Sequence, residues 1–249
     1  MADTWSSWAA TDAGALRDSN EDAYVDTAAA RLWAVADGAG GHDHGAFASA
    51  SLKAALERPG TELGPARIAE LRARIATVHQ SMLDRACDET TQRGVASTIA
   101  STLVILCAAG SAYHCLWCGD SRAYLLRHGA LTRLSRDHSV VQELVDAGVV
   151  DPSEAETHPV AHLLTRAIGA RPEPVELDEV TGNAQPGDRF VLCSDGLFKA
   201  LDEGTIAQLA ACGEPARALV AAALSRQAQD NVTAVVVERG HDGHDGHDA

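Results

Sequence analysis

Hydrophobic and polar positions follow two periods along this chain, and the periods divide it into strands and helices. Short apolar, β-branched or alternating runs predict strands over residues 5–11, 31–36, 95–108, 111–117, 122–127, 131–134, 189–194 and 232–237. Apolar residues at steps of three and four predict helices over residues 47–57, 65–88, 137–148, 161–169, 203–211 and 215–228. Loops are expected at residues 149–159 and around Pro172 and Pro174.

Glycine-containing turns separate the three central strands at residues 109–110 and 119–121. This spacing predicts an antiparallel meander over residues 95–127. Helices 47–57 and 65–88 are expected to cover one face of a sheet. No repeat or low-complexity linker divides the 249 residues, so we expect one domain over residues 1–239. Residues 240–249 repeat His-Asp-Gly without apolar residues, which predicts a disordered tail.

Composition and charge narrow the choice of partners. The hydrophobic fraction of 46% is ample for a core, although aromatic residues make up only 4%. A formal net charge of -15 disfavours nucleic acid and anionic membranes, so neither is expected as a partner. The start lacks a basic apolar leader and no apolar run approaches the roughly 20 residues that span a bilayer. We therefore expect a cytoplasmic protein.

The six cysteines are expected to be reduced core residues. Cys115 and Cys118 have the C-x-x-C spacing, but they lie within a predicted strand and no second C-x-x-C completes a zinc site. Structural thiols are therefore favoured over a redox pair.

One apolar run ends in a carboxylate and a glycine-rich turn, at residues 35–42 (VADGAGGH). This pattern suggests a buried strand that delivers Asp37 to the rim of a sheet, where the glycines allow close approach of the backbone. Taken alone, Asp37-Gly38 favours a hairpin turn.

Four aspartates share this setting, because each adjoins an apolar strand and has Gly or Asn beside it: Asp37, Asp120, Asp195 and Asp230. A polar cluster that includes Glu21 and Asp22 is expected to lie nearby. Converging carboxylates repel each other, and divalent cations remove that cost. Oxygen-only ligands favour Mg²⁺ or Mn²⁺ over zinc. Each aspartate alone would be a turn residue, but the set of four favours a metal site.

Five motifs in order identify a resemblance to the metal-dependent Ser/Thr protein phosphatases of the PPM (PP2C-type) family, in its bacterial single-domain form. They are residues 17–22 (RDSNED), 35–42 (VADGAGGH), 117–124 (WCGDSRAY), 192–197 (LCSDGL) and 229–233 (QDNVT). The resemblance implies an α+β fold, an αββα sandwich of two antiparallel sheets flanked by helices. It also implies hydrolysis of phosphoserine and phosphothreonine by direct attack of a metal-bridging water.

The resemblance assigns metal ligands residue by residue. Asp37 would bridge two Mn²⁺ or Mg²⁺ ions. The Gly38 carbonyl would bind the second ion, and Glu21 would reach it through water. Asp195 and Asp230 would hold the first ion.

Three further roles come from the same resemblance. Asp120 would join Asp195 around a weaker third ion found in bacterial members. Arg17 would clamp the substrate phosphate, since a guanidinium fork suits that geometry. Asp22 would support the ligands from behind. The expected partners are phosphorylated Ser/Thr proteins, with a cognate Ser/Thr kinase or its substrates among them, and the expected state is a monomer.

The chain departs from the family pattern in two places. Ala39 stands where eukaryotic members often have a histidine proposed as general acid, and His42 is expected to orient the turn instead. Residues 96–98 (AST) replace the usual G-T-T, which keeps the hydroxyls but not the glycine. Residues 136–169 match the family's variable flap, and the stretch ending at Lys199 resembles members linked to type VI secretion.

Two alternatives stay open at this point. A pseudophosphatase would only bind a kinase or scaffold, and it would need a broken metal set, whereas all expected positions are filled here. A phosphatase of small molecules would share the site but not the substrate. No G-x-S-x-G or H-E-x-x-H motif supports another hydrolase scheme.

Overall fold

Two antiparallel five-stranded sheets form the centre of the computed structural model, which describes residues 4–40, 43–58, 65–94 and 96–240. In chain order the strands are β1 (Trp5–Asp12), β2 (Asp22–Thr27), β3 (Leu32–Ala39), β4 (Ala100–Ala109), β5 (Ala112–Cys118), β6 (Arg122–Arg127), β7 (Ala130–Arg133), β8 (Asp178–Asn183), β9 (Arg189–Cys193) and β10 (Val232–Arg239). One sheet has the order β1-β10-β9-β6-β7 and the other has β2-β3-β4-β5-β8.

Helices cover both outer faces of the paired sheets. In chain order they are α1 (Asp43–Leu56), α2 (Pro65–Arg93), α3 (Val140–Asp146), α4 (Asp195–Ala200), α5 (Glu203–Ala210) and α6 (Pro215–Ser225). Apolar residues of α1 and α2 pack on the sheet that contains β3, and those of α4, α5 and α6 pack on the sheet that contains β10. Among the helices described, none is long and apolar enough to cross a membrane.

Strand alternation explains the layers. In β3, Leu32, Ala34 and Ala36 face the helices, whereas Trp33 and Val35 face the opposite sheet. Since both faces are buried, the strand is apolar without interruption rather than alternating. The predicted αββα sandwich is confirmed.

The hairpin reading of Asp37-Gly38 is wrong. β3 runs on to Ala39, with Asp37 opposite Thr102 of β4 and Gly38 opposite Ser101. On its other side Asp37 lies opposite Asp22 of β2. A strand paired on both sides stays extended, so the chain does not turn at Asp37 as a free Asp-Gly pair would. Alternation then places Asp37 on the inter-sheet side, like Val35 two residues earlier.

The predicted meander is also wrong, because its third strand lies in the other sheet. β4 pairs with β5, but β6 pairs with β7 and β9. The turn at residues 119–121 therefore carries the chain from one sheet to the other. The next turn is tight: His128 and Gly129, with φ of 51° and 81°, join β6 to β7.

Several predicted boundaries change. The short helix expected at residues 161–169 is absent from this described segment, where isolated bridges join Leu164 to Ser139 and Ile168 to Ser101. The strand expected from residue 95 begins at Ala100. β8 was not predicted, and the predicted loop at 149–159 contains a short 3₁₀ helix, Pro152–Thr157.

The prediction of reduced core cysteines is confirmed for Cys107, Cys115, Cys118 and Cys193, which are buried and free. It is wrong for Cys87, which is exposed. The predicted tail beyond residue 240 and the predicted role of His42 lie outside the described residues.

Candidate metal centre

One cavity of about 300 Å³ at the end of the two sheets brings the predicted site residues together. Its lining contains all seven of them: Arg17, Glu21, Asp37, Gly38, Asp120, Asp195 and Asp230. They come from five separate parts of the chain, namely the β1–β2 loop, β3, the turn between the sheets, α4 and the α6–β10 loop. Sequence patterns alone could not show this convergence.

Asp37 lies in a field of negative charge. Burial raises the pKa of the Asp37 carboxyl well above its usual range, and the charges of Asp22 and Asp195 raise it further. Among the described residues, none forms an ion pair or a side-chain hydrogen bond with this carboxylate. The position therefore calls for a cation that the protein does not itself supply to Asp37.

Asp22 stands beside Asp37 on the neighbouring strand. Its Oδ2 accepts hydrogen bonds from Ser194 Oγ at 2.7 Å and from Thr233 Oγ1 at 2.6 Å. Within the described part of the chain, its Oδ1 is buried without a hydrogen-bond partner. Burial raises the pKa of Asp22 to about 7, partly offset by the two hydroxyl donors. This placement agrees with a supporting position behind Asp37.

Asp120 follows a glycine that the turn requires. Gly119 has φ of 105°, and a Cβ there would lie 2.4 Å from Thr102 Cβ. His138 fixes this turn through two hydrogen bonds of 3.0 Å. Its ring Nδ1 accepts from the backbone N–H of Gly119, and its backbone N–H donates to the carbonyl oxygen of Gly119. Burial raises the pKa of Asp120 to about 7, and the charge of Asp195 contributes.

Asp195 does not repeat the arrangement of Asp37, although both precede a glycine. It begins α4 after the end of β9, with Ser194 at the N-cap. Its Oδ2 accepts an ion-paired hydrogen bond from Lys199 one helical turn later. Among the described residues, its Oδ1 has no such partner.

Asp230 is paired with the residue predicted to bind phosphate. Arg17 Nε donates to Oδ1 at 2.9 Å, and Arg17 Nη2 donates to Oδ2 at 2.7 Å. The Arg17 side chain is 52% exposed and that of Asp230 37%. A pair so open to solvent can exchange partners at small cost.

The Glu21 side chain reaches the cavity because Gly38 and Gly45 have no side chains that would occupy the space around it. A Cβ on Gly45 would lie 1.9 Å from Glu21 Oε2, and a Cβ on Gly38 would lie 2.1 Å from the Gly45 carbonyl oxygen. Both glycines are therefore needed to bring the start of α1 against β3 beside Glu21.

Asn231 ties the loop that carries Arg17 and Glu21 to β10. Its Oδ1 accepts from the Glu21 N–H at 2.8 Å. Its Nδ2 donates to the carbonyls of Ala13 at 2.8 Å and Ser19 at 3.0 Å. Both N–H groups and the oxygen of this side chain are hydrogen-bonded to the loop, which fixes the loop on the cavity rim.

Sequence reasoning missed Asn231, Gly45 and Lys199 as site residues, although each had a signal. Asn231 follows a predicted ligand and Lys199 lies four residues after another, which in a helix places the two side chains together. The signal at Gly45 is weaker, because a lone glycine in a helix shows only that a side chain is unwelcome there. His162 and Leu164 of the flap also line the cavity.

The donor set fits a hard divalent cation. As positioned, the described residues contain no group of three Asp, Glu, His or Cys side chains ready to hold an ion. Two of the four aspartates are turned toward protein cations, Asp230 toward Arg17 and Asp195 toward Lys199. The acidic residues of the lining nevertheless offer carboxylate oxygens, and burial together with neighbouring carboxylates raises the pKa values of Asp37 and Asp120. Such a set suits Mg²⁺ or Mn²⁺.

Known proteins resemble this chain over most of its length. Residues 16–234 match the family Protein phosphatase 2C. The serine/threonine protein phosphatase PstP of Mycobacterium tuberculosis is 37% identical over 238 residues, which cover 92% of this chain and 44% of PstP. The chain thus spans less than half the length of that curated relative.

Solved structures align over nearly the whole chain. PppA, described as a key regulatory component of T6SS in Pseudomonas aeruginosa, has a TM-score of 0.84 and 41% identity, covering 95% of this chain and 98% of PppA. The catalytic domain of PstP in complex with two manganese ions has a TM-score of 0.80 and 33% identity, covering 95% of this chain and 99% of that domain.

Proposed function

The chain belongs to the Protein phosphatase 2C family, and on that premise we propose that it is a metal-dependent protein serine/threonine phosphatase. One observation carries this proposal. Four aspartates from separate elements line one cavity together with Glu21, and an exposed arginine lies at its edge. Water is proposed as the nucleophile, without a phosphorylated enzyme intermediate.

We propose that two Mn²⁺ or Mg²⁺ ions bind in this cavity. Asp37 would contact both, Asp195 and Asp230 would hold one, and the Gly38 carbonyl with Glu21 would hold the other. Bound there, the ions would supply Lewis acidity to phosphate hydrolysis. The PstP catalytic domain with two manganese ions supports a metal cofactor.

Arg17 is proposed to bind the phosphate of the substrate. Its fork already grips a planar pair of oxygens in Asp230, and a phosphate presents the same geometry. In this proposal the guanidinium releases Asp230 for metal binding and takes the phosphate instead. The 52% exposure of its side chain keeps it within reach of a protein substrate.

The flap borders the cavity and is proposed to influence substrate choice. His162 and Leu164 line the same cavity as Arg17, so residues next to a phosphorylated Ser or Thr would contact the flap. A cognate kinase or its substrates, a monomeric state and a cytoplasmic location stay predictions. The likeness to PppA supports a link with type VI secretion as a further prediction.

The test compares substrates and metals. Wild-type protein should release phosphate from phosphothreonine and phosphoserine peptides in Mn²⁺ or Mg²⁺, lose that activity in EDTA, and regain it with Mn²⁺. Asp37→Asn and Asp195→Asn should lose more than roughly 100-fold, since even residues behind metal ligands cost 10–100-fold. Asp84→Asn, an exposed carboxylate on α2, is the matched control and should keep full activity.

Two outcomes would contradict the proposal. Full activity in EDTA would remove the metal from the mechanism. Faster hydrolysis of sugar phosphates than of phosphopeptides would instead favour a phosphatase of small molecules.

A further inference from the structure

Lys199 brings a positive charge into the carboxylate cavity. The chain contains only two lysines, Lys53 and Lys199. Lys199 lies on α4 one turn after Asp195, and its Nζ donates to Asp195 Oδ2 inside the cavity. The side chain of Asp195 is only 16% exposed, whereas that of Lys199 is 36% exposed.

The second lysine shows the difference. Lys53 of α1 is likewise paired with an acidic residue four positions away, here on its C-terminal side. Its Nζ lies 3.8 Å from Glu57 Oε1. Those side chains are 40% and 47% exposed. Pairs of that kind contribute little. Lys199 is itself 36% exposed, so the difference lies in the acidic residues: Asp195 is 16% exposed, and Asp120 in the same cavity is buried.

More than one carboxylate acts on Lys199. Burial alone would lower the pKa of its ammonium, yet the charges of Asp195, Asp120 and Asp37 raise it above the ordinary value. Burial raises the pKa of Asp120, and among the groups that lower this pKa the charge of Lys199 has the largest effect. Lys199 contacts Asp195 and lines the same cavity as Asp120, and these are the two aspartates to which the family resemblance assigns a third ion.

The pairing leaves Asp195 able to serve elsewhere. Lys199 contacts Oδ2, and Oδ1 has no hydrogen-bond or ion-pair partner in the described part of the chain. One carboxylate can therefore hold the ammonium with one oxygen and a metal ion with the other. Asp120 has no similar second duty in the proposed two-ion site.

We propose that the ammonium of Lys199 takes the place of a third metal ion between Asp120 and Asp195, so that the chain works with two ions. This proposal rests on the proposed function, because it assumes that metal ions bind at Asp37 and its neighbours. A fixed cation on α4 offsets one of the two negative charges of these aspartates and repels a further divalent ion from the same oxygens. Lys199 is thus a positioning residue that sets the number of ions.

The test counts ions rather than turnover. Wild-type chain, Lys199→Gln and Lys53→Gln are stripped of metal, and bound Mn²⁺ is counted by native mass spectrometry and titration calorimetry at matched free Mn²⁺. Lys199→Gln should bind one ion more than wild type, and Lys53→Gln should match wild type. Lys199→Asn would not serve as well, because it shortens the side chain and changes packing.

A second substitution locates the added ion. Asp120→Asn in the Lys199→Gln background should remove it, whereas Asp120→Asn in wild type should leave the count unchanged. Every variant keeps the His/Asp tail, so any ions on the tail cancel in these comparisons. The wild-type arm also stands by itself if Lys199→Gln fails to fold, which thermal unfolding would show.

The outcomes separate this proposal from the proposed function. An equal ion count in folded Lys199→Gln and wild type would overturn the role of Lys199. Loss of one ion from wild type on Asp120→Asn would overturn it too, because a third ion would then already be present. Absence of Mn²⁺ binding in all variants would overturn the proposed function itself, and this proposal with it.

Discussion

The buried carboxyl of Asp22 predicts that the metal-free protein becomes less stable as pH rises. Burial raises the pKa of Asp22 from 3.8 to about 7, and one of its oxygens lacks a hydrogen-bond partner. Between those two values the folded chain holds a proton that the unfolded chain has lost. The free energy of unfolding therefore falls as pH rises through this window.

The size of the effect follows from the shift. A shift of roughly three pKa units, at 1.36 kcal/mol per unit, sets an upper limit of roughly 4 kcal/mol at pH 8. The nearby cavity admits water, which screens the buried charge, so we expect roughly 1–3 kcal/mol. Asp22→Asn removes the titration and keeps an oxygen that can accept from Ser194 and Thr233.

The assay is urea unfolding in EDTA at intervals from pH 5 to pH 8. Asp22→Asn should match wild type near pH 5 and exceed it by an amount that grows toward pH 8. Asp84→Asn, which alters an exposed carboxylate, should follow wild type throughout. Excess Mn²⁺ should raise wild-type stability most at high pH, because metal binds the ionised carboxylates. A difference between Asp22→Asn and wild type that is flat across the range would refute the reasoning.

Two further predictions concern residues around the metal centre. Replacing Asn231 by alanine removes three hydrogen bonds at about 1 kcal/mol each, so urea unfolding should show a loss of roughly 2–4 kcal/mol. The control Gln229→Ala, at an exposed position two residues earlier, should change the free energy of unfolding little. Similar losses in both variants would contradict the role of Asn231 in holding the Arg17 loop. Gly45→Ala places a methyl group against the Glu21 carboxylate and should weaken Mn²⁺ binding, measured by calorimetry, by roughly 10-fold or more. Folding of this variant is checked by thermal unfolding, because the new Cβ would also lie 3.0 Å from the Gly38 carbonyl carbon. The helical control Gly204→Ala should bind Mn²⁺ normally, and normal binding in Gly45→Ala would count against the account.

The layers of the fold were readable from the sequence, but the connections between them were not. Uninterrupted apolar runs correctly marked β3, β9 and β10, since strands between two layers are buried on both faces. The crossing at Gly119 looked like a meander turn. The residues of a turn indicate that the chain bends there. The sheet that the next strand joins depends on pairing partners far along the chain.

Tertiary partners overrode local pattern in two segments. Residues 161–169 have apolar positions at helical steps, but Leu164 and Ile168 form bridges with Ser139 and Ser101 instead. β8 pairs with the edge of β5 through a polar stretch that carries little strand signal. In both cases the pairing surface came from another element.

The site residues were easier to predict than their surroundings. A carboxylate beside an apolar strand predicted four aspartates, and the order of the motifs linked them: Asp37, Asp120, Asp195 and Asp230. The setting of each was less visible: Asp37 stays in a paired strand, and Asp195 starts a helix. Sequence alone also did not reveal which cations the protein itself supplies, because that depends on distances between separate elements.

The most direct test of the central claim measures metal binding and hydrolysis in the same samples. Metal-free wild type and Asp37→Asn are titrated with Mn²⁺, while bound Mn²⁺ is followed by electron paramagnetic resonance and phosphate release is followed from a phosphothreonine peptide. The account predicts that hydrolysis rises with bound Mn²⁺ in wild type and that Asp37→Asn loses both together. Hydrolysis by Asp37→Asn at the wild-type rate, or by wild type without bound Mn²⁺, would contradict it.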